Sequence, residues 1–358
     1  MTRPEGDGWV LENGIVRVEV NANGLITSLR DLRIDRELVP AGSVANLLQL
    51  HRDTPNKWDA WDIDDHYRRN TVELTEVDSI EAGEGSLRIA RSFGSSTIVQ
   101  TLVLAPGSST VDIENVIDWH ERQKLLKLAF PLDLHTDRAA SEIQFGHVYR
   151  PTHANTSWDV ARFETSAHRW VHVGERDYGV VIANDSTYGH DIGRTRPSGD
   201  TGRRASATTV RLSLLRAPTF PDPAADQGTH TLNVSVGLGA DIRAAVEAGY
   251  RRNLPLRTFS GVSGAPLQPL VVVADQAVVV EAVKLARDGS GDVIVRLYES
   301  TGSRARTSVT AGFDVTGISE TDLLERVLPT DALVETEGAT AHIELRPFQL
   351  LTLRFARA

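Results

Sequence analysis

Apolar side chains in this sequence recur at every second position, and that period restricts most of the chain to β-strands. In "GIVRVEVNANGLITSLRD" the alternation runs on both sides of "NANG", where Asn23-Gly24 supplies the positive φ that a tight hairpin turn needs. "SLRIARSF", "STIVQTLVLAPGSSTVDIENVIDW", "KLLKLAFPLDL", "YGVVIAND" and "TVRLSLLRAP" continue the pattern with Val, Ile and Leu. Strands this short, separated by turn residues, specify an antiparallel β-sandwich rather than alternating strands and helices. Helical signals are few. "DIRAAVEAGYRRN" offers Asp241 as N-cap and Arg251 and Arg252 against the C-terminal dipole. "SETDLLERVL" offers Ser319 with Asp322 three residues on, a weak capping box, and predicts a second short helix.

A length of 358 residues exceeds what one core usually holds and predicts two domains, or three. The Gly-, Pro- and Ser-rich stretch from Ser260 to Pro269 marks the boundary. It separates a large block, 1–258, from a block of about 100 residues, 259–358, the size of one small sandwich. In the second block "DGSGD" predicts a tight turn between strands carrying Lys284 and Arg296. The stretch "GRTRPSGDTGRRAS", 193–206, reads as a mobile loop.

A formal net charge of −10 argues against nucleic acid as the main partner, because phosphate binding needs a basic stripe. No apolar run is long enough to cross a bilayer, and no apolar signal segment follows Met1. The absence of cysteine excludes disulfides and thiolate chemistry and fits a reducing cytoplasm.

Two stretches carry candidate chemistry. "TPNKWDAWDID" places Trp58, Asp59, Trp61 and Asp62 together. Aromatic faces cover the C–H face of a pyranose while carboxylates accept from its hydroxyls. The competing reading is a loop whose tryptophans cover a core edge. "RPTHANTSWD" combines Arg150, His153, Asn155, Trp158 and Asp159 on irregular backbone suited to a hydroxyl-rich ligand, or to a loop pinned by its own hydrogen bonds. His168 and His172 stand four apart, as metal ligands do on a helix. On a strand that spacing is about 13 Å, so structural histidines are favoured. Asp59, Asp62, Asp64, Asp159 and Glu164 are candidates for a glycosidase carboxylate pair, but spacing in sequence sets no separation in space. No nucleophile elbow, P-loop or dinucleotide fingerprint is present.

The segments "PNKWDAWDID", "FGHVYRPTHANTSWDVARFE", "AHRWVHVGERDYGVVIANDSTYGHD" and "RLSLLRAPTFPDPAADQGTH" resemble the C-terminal part of glycoside hydrolase family 38, the class II α-mannosidases, in its cytosolic and bacterial branch. "VKLARDGSGDVIVRLYE", "ETDLLER" and "LRPFQLLTLRF" extend the resemblance to the terminus. It implies an all-β chain: a large galactose-mutarotase-like antiparallel β-sandwich (supersandwich), then a smaller β-sandwich, with few short helices. It also implies the non-catalytic part of a zinc-dependent retaining α-mannosidase acting on terminal α-linked mannose. The zinc ligands and nucleophile of that family belong to an N-terminal catalytic domain and match no residue here, so no catalytic residue, metal site or cofactor is expected in this chain. The implied partners are that catalytic domain and mannose-containing glycans, in the cytoplasm, with homo-oligomer formation left open. The implied substrate-binding residues are Trp58, Asp59, Trp61, Asp62, Arg150, His153, Asn155, Trp158, Asp159, Asn184, Asp185 and Tyr188. A stand-alone carbohydrate-binding module and a purely structural assembly domain remain as alternatives.

Overall fold

The structure, a computed structural model, describes residues 1–195, 207–261, 264, 268–329 and 331–358. The loop expected at 193–206 therefore lies outside the described residues from 196 on, and so does much of the Gly/Pro-rich boundary stretch. The chain forms two compact units: Met1–Glu142 with Tyr149–Pro255, and Ile143–Val148 with Leu256–Ala358. A single cut after residue 258 thus leaves out the short 143–148 segment, which clusters with the second unit.

The strand pairings of unit 1 are antiparallel among the described residues, as the short strands and turns predict. A five-stranded sheet begins the chain, and its hairpin Val16–Val20 to Ile26–Asp31 turns through Gly24 at φ +70°. Asn21 Oδ1 accepts from the Asn23 and Leu25 amides, which fixes that turn. A nine-stranded sheet has Gly179–Asn184, Gly228–Leu238, Thr110–Trp119 and Ser96–Val103 as consecutive neighbours. A six-stranded sheet places Lys124–Leu132 between Ala207–Arg216 and Leu47–Arg52, with Gly189–Thr195 beyond Ala207–Arg216. Alternate residues of all three sheets meet in one core that includes Val18, Leu29, Leu50, Ile113, Trp119, Leu128, Val210 and Val236. Burying side chains of this size stabilises the unit by about 1.5–3 kcal/mol apiece. The helix Ile242–Asn253 begins as the sequence predicts, with Asp241 accepting from the Ala244 amide at 2.8 Å.

Unit 2 pairs Val293–Glu299 with Leu350–Arg357 in one four-stranded sheet and Ala305–Ala311 with Thr340–Leu345 in another. Val295, Val309, Ile343, Leu353 and Phe355 share its core. The "DGSGD" turn joins Val278–Leu285 to Val293–Glu299 as expected. The helix predicted over "SETDLLERVL" does not form. Ser319–Thr321 end a strand paired with Leu350–Arg357, and Asp322 Oδ1 accepts from the Leu324 and Arg326 amides to make a turn. Sheet pairing outcompeted a weak cap with few intrahelical partners. Among the described residues no helix is long and apolar enough to cross a membrane.

Candidate functional site

A cavity of about 570 Å³ lies in unit 1. One face of the six-stranded sheet supplies Gln49, His51, Asp191 and Arg211, while the opposite face of the same strands packs Leu48, Leu50 and Leu212 into the core. Alternation along a strand accounts for that division. The loop after Leu47–Arg52 adds Tyr67 and Arg68, and the loop after Gly146–Pro151 adds His153, Asn155 and Asp159.

Lys127 sits beneath this face, fully buried, on the strand Lys124–Leu132. A β-bulge between Leu126 and Lys127 shifts the register there, and bulges bend a strand and re-aim its side chains. Its ammonium donates to Asp191 Oδ2 at 2.5 Å, to Tyr67 Oη at 3.2 Å and to Glu164. Tyr67 Oη in turn donates to Glu164 Oε1 at 2.5 Å. Asp191 also pairs with Arg211, its direct cross-strand neighbour, and lies 3.8 Å from Arg68. Burial disfavours the Lys127 charge, yet Asp191 and Glu164 outweigh it and hold the ammonium above its ordinary value. Burial likewise pushes Asp191 up, but Lys127 and Arg211 keep it below the usual carboxylate range. Burial raises the Tyr67 hydroxyl to about 12. The result is a fixed polar floor in which Lys127 and Asp191 stay charged at neutral pH.

Two histidines flank the floor. Burial, then the charges of Lys127 and Arg211, lowers His51 to about 4. Burial also lowers His190 to about 4, with Arg150 and Lys127 adding to the effect against the pull of the Tyr188 carbonyl. His190 Nδ1 lies 3.3 Å from the Tyr188 carbonyl oxygen, which only accepts, so Nδ1 carries the proton. Nε2 is then the acceptor for Ser141 and Thr165 hydroxyls at 3.3 and 3.1 Å.

The twelve sequence-predicted binding residues divide into groups. Arg150, His153, Asn155 and Asp159 line the cavity. The backbone after Asn155 is more ordered than its composition suggests: Ser157–Ala161 is a short helix with a capping box, in which Asp159 accepts from the Thr156 amide and hydroxyl at 3.1 and 2.8 Å. Trp158 projects from that helix, 74% exposed. Trp58 and Trp61 are 65% and 68% exposed. Their loop is tied down from below. Arg216 donates to the Asp59 and Asp62 carbonyls at 3.2 and 2.8 Å, and Asp59 Oδ2 accepts from the Thr219 and Phe220 amides at 2.5 and 3.0 Å. Asp62 Oδ1 accepts from the adjacent Ile63 amide. Asn184 and Asp185 serve a turn and its neighbour: Asn184 Oδ1 accepts from the Ser186 and Thr187 amides, and Asp185 accepts from Asn233. Tyr188 is exposed, its ring 5.7 Å from that of His168. His172 is on a strand, with Nε2 donating to the Ala240 carbonyl at 2.7 Å.

Asp59 therefore holds a loop in place, and its removal has a defined cost. Asp59→Ala deletes the acceptor for two amides and for the Thr219 hydroxyl. Stability of unit 1 should fall by about 1–2 kcal/mol, read as a lower urea midpoint with an unchanged slope. A loss below about 0.3 kcal/mol would show that these bonds do not hold the loop.

Lys127, Asp191, Arg211, Tyr67 and His51 were missed in the sequence. A signal did exist for Lys127, the one charge within the apolar run "LLKLAFPL". A charge there is either paired or functional.

Among the described residues no group of three or more His, Asp or Glu side chains could hold a metal ion.

Two family descriptions match the chain: "Glycosyl hydrolases family 38 C-terminal domain" over residues 11–224 and "Glycosyl hydrolases family 38 C-terminal beta sandwich domain" over 277–353. Alpha-mannosidase 2C1 of Homo sapiens is 36% identical over 98% of this chain and 34% of its own length. Alpha-mannosidase G of Dictyostelium discoideum is 30% identical over 97% of this chain and 32% of its own length. The crystal structure of an alpha-mannosidase from Enterococcus faecalis V583 shares the fold, with a TM-score of 0.75 at 17% identity over 99% of this chain and 42% of that one. The chain thus spans about a third of the length of the curated relatives it matches. With more than half of its residues inside the first description, the chain belongs to glycosyl hydrolase family 38, as its C-terminal domain and C-terminal β-sandwich.

Proposed function

We propose that this chain is the non-catalytic β-region of an α-mannosidase that releases terminal α-linked mannose, and that it supplies walls to a sugar cleft completed by an N-terminal catalytic domain. The supporting observation is the pattern of relatives: they carry the name α-mannosidase, and this chain matches only about a third of each. The wall is assigned to the aromatic groups that the fold leaves exposed on tethered loops, Trp58, Trp61 and Trp158. Trp58 is held at φ +59°, a conformation that costs a bulky residue about 1 kcal/mol or more, and such residues cluster at functional sites. Polar support comes from Arg150, His153, Asn155 and Asp159, with Asn184, Asp185 and Tyr188 as buttress. A cytoplasmic setting belongs to the same proposal and is supported by the lack of cysteine.

Two measurements test this reading. The chain by itself should not hydrolyse a chromogenic α-mannoside with zinc present. Turnover that disappears on chelation would overturn the non-catalytic assignment. Joined to the catalytic region of a family 38 α-mannosidase, Trp158→Ala should raise KM about fivefold or more, the worth of one stacking contact. Unchanged KM and kcat in both Trp158→Ala and Trp61→Ala would favour a purely structural assembly role.

A further inference from the structure

The 570 Å³ cavity holds polar atoms that its own walls leave unmatched. His51 is only 4% exposed, and its Nε2 is buried without a hydrogen-bond partner. Nη1 of Arg150 is buried in the same state. Both residues line the cavity. They come from chain positions far apart, so one local irregularity does not explain the pair. Each unmatched buried atom costs about 1–3 kcal/mol, and native structures keep few of them.

The charge of the cavity runs against that of the chain. Five arginines line it against three aspartates, in a protein whose formal net charge is −10. Asp191 is already engaged by Lys127 and Arg211, and Asp159 by Thr156. Burial and the nearby Arg162 charge hold the Arg150 guanidinium below its ordinary value, as befits a cation set among like charge. An anion is what this arrangement lacks, and arginine pairs with carboxylate or phosphate through two parallel bonds. Hydroxyl groups have partners too. Gln49, Asp65 and Asn155 line the same space, and the volume falls within the range of about 300–1,000 Å³ typical of small-molecule sites.

We infer that this cavity is a binding site for a small polyhydroxylated anion, a sugar phosphate or sugar acid, with Arg150 gripping the anionic group and His51 Nε2 meeting a ligand hydroxyl. Gln49 and Asn155 would take the remaining hydroxyls. All of the described residues that line the site belong to unit 1, so binding is tested on this chain without a catalytic domain.

Calorimetric titration of the whole chain near neutral pH and at low salt tests it, with mannose 6-phosphate, glucuronate, mannose and inorganic phosphate as probes. At least one of the two sugar anions should bind with a Kd of about 1 mM or tighter, and mannose and inorganic phosphate should each bind about tenfold more weakly. Arg150→Ala should weaken the sugar anion about tenfold or more. Arg150→Lys keeps the charge without the fork, so it should lose less, and it serves if the alanine variant fails to fold. Absence of heat from both sugar anions overturns the inference, as does an affinity indifferent to both substitutions. Inorganic phosphate binding as tightly as mannose 6-phosphate overturns the sugar part of it. α-Mannoside turnover is measured separately with the joined protein, so a failure of sugar-anion binding and a failure of the cleft reading are told apart.

Discussion

Lys127→Met should destabilise unit 1 by about 3–5 kcal/mol, because it leaves the buried Asp191 and the partly buried Glu164 without their shared cation. Lys127 is wholly inaccessible, and Asp191 and Glu164 converge on its ammonium. Met fills a similar volume, so packing loss contributes little. The residual charges are the source of the penalty. Asp191 retains Arg211 and the nearby Arg68, while Glu164 retains hydroxyl donors from Tyr67 and Ser213 and the field of Arg68. Adding Glu164→Gln and Asp191→Asn to Lys127→Met should recover a large part of the loss, by the logic that neutral amides are cheaper to bury than unpaired ions. Urea unfolding followed by tryptophan fluorescence isolates the effect, since all six tryptophans belong to unit 1. A loss below about 1 kcal/mol for Lys127→Met would contradict the buried network as described.

Acid should weaken the same unit through two buried histidines. His51 and His190 are both lowered to about 4 in the folded chain, chiefly by burial. An unfolded histidine titrates near 6.5, so between about pH 6.5 and 4 the unfolded chain binds more protons than the native one. Stability is therefore full above the unfolded value and falls with pH through that window, by about 2–3 kcal/mol for each histidine. The groups facing them agree in sign: Lys127 and Arg211 oppose a charged His51, and Arg150 and Lys127 oppose a charged His190, with Asp191 acting weakly the other way. Asp191 has its own window, because a carboxylate lowered by its partners contributes above its unfolded value and is lost only at more acid pH. Urea midpoints measured at intervals from about pH 7.5 to 4.5 should fall steadily, and His190→Gln should flatten part of that slope. Midpoints constant over that range would mean that neither imidazole is held neutral by the fold.

The structure places the two stretches raised by the sequence differently for a physical reason. Composition drew attention to Trp58, Asp59, Trp61 and Asp62, yet Asp59 and the backbone of Asp62 are occupied in tethering their own loop to Arg216 and Phe220. "RPTHANTSWD" contributes Arg150, His153, Asn155 and Asp159 to the lining of the cavity. Its helix was hidden because one turn of five residues has too few apolar positions to show a period.

Local chemistry was enough to establish the strands, the Asn23-Gly24 hairpin and the Asp241 cap, because each depends on side-chain alternation or on hydrogen bonds within a few residues. Alternation also says that one face of a strand is buried. It does not say which distant strand lies alongside or which loop closes over the other face. Lys127, Glu164, Asp191 and Tyr67 meet only because sheet pairing and loop packing bring separate parts of the chain to one place. Lys127 in its apolar run announces that a partner must exist, but nothing near it in sequence says which residues those partners are.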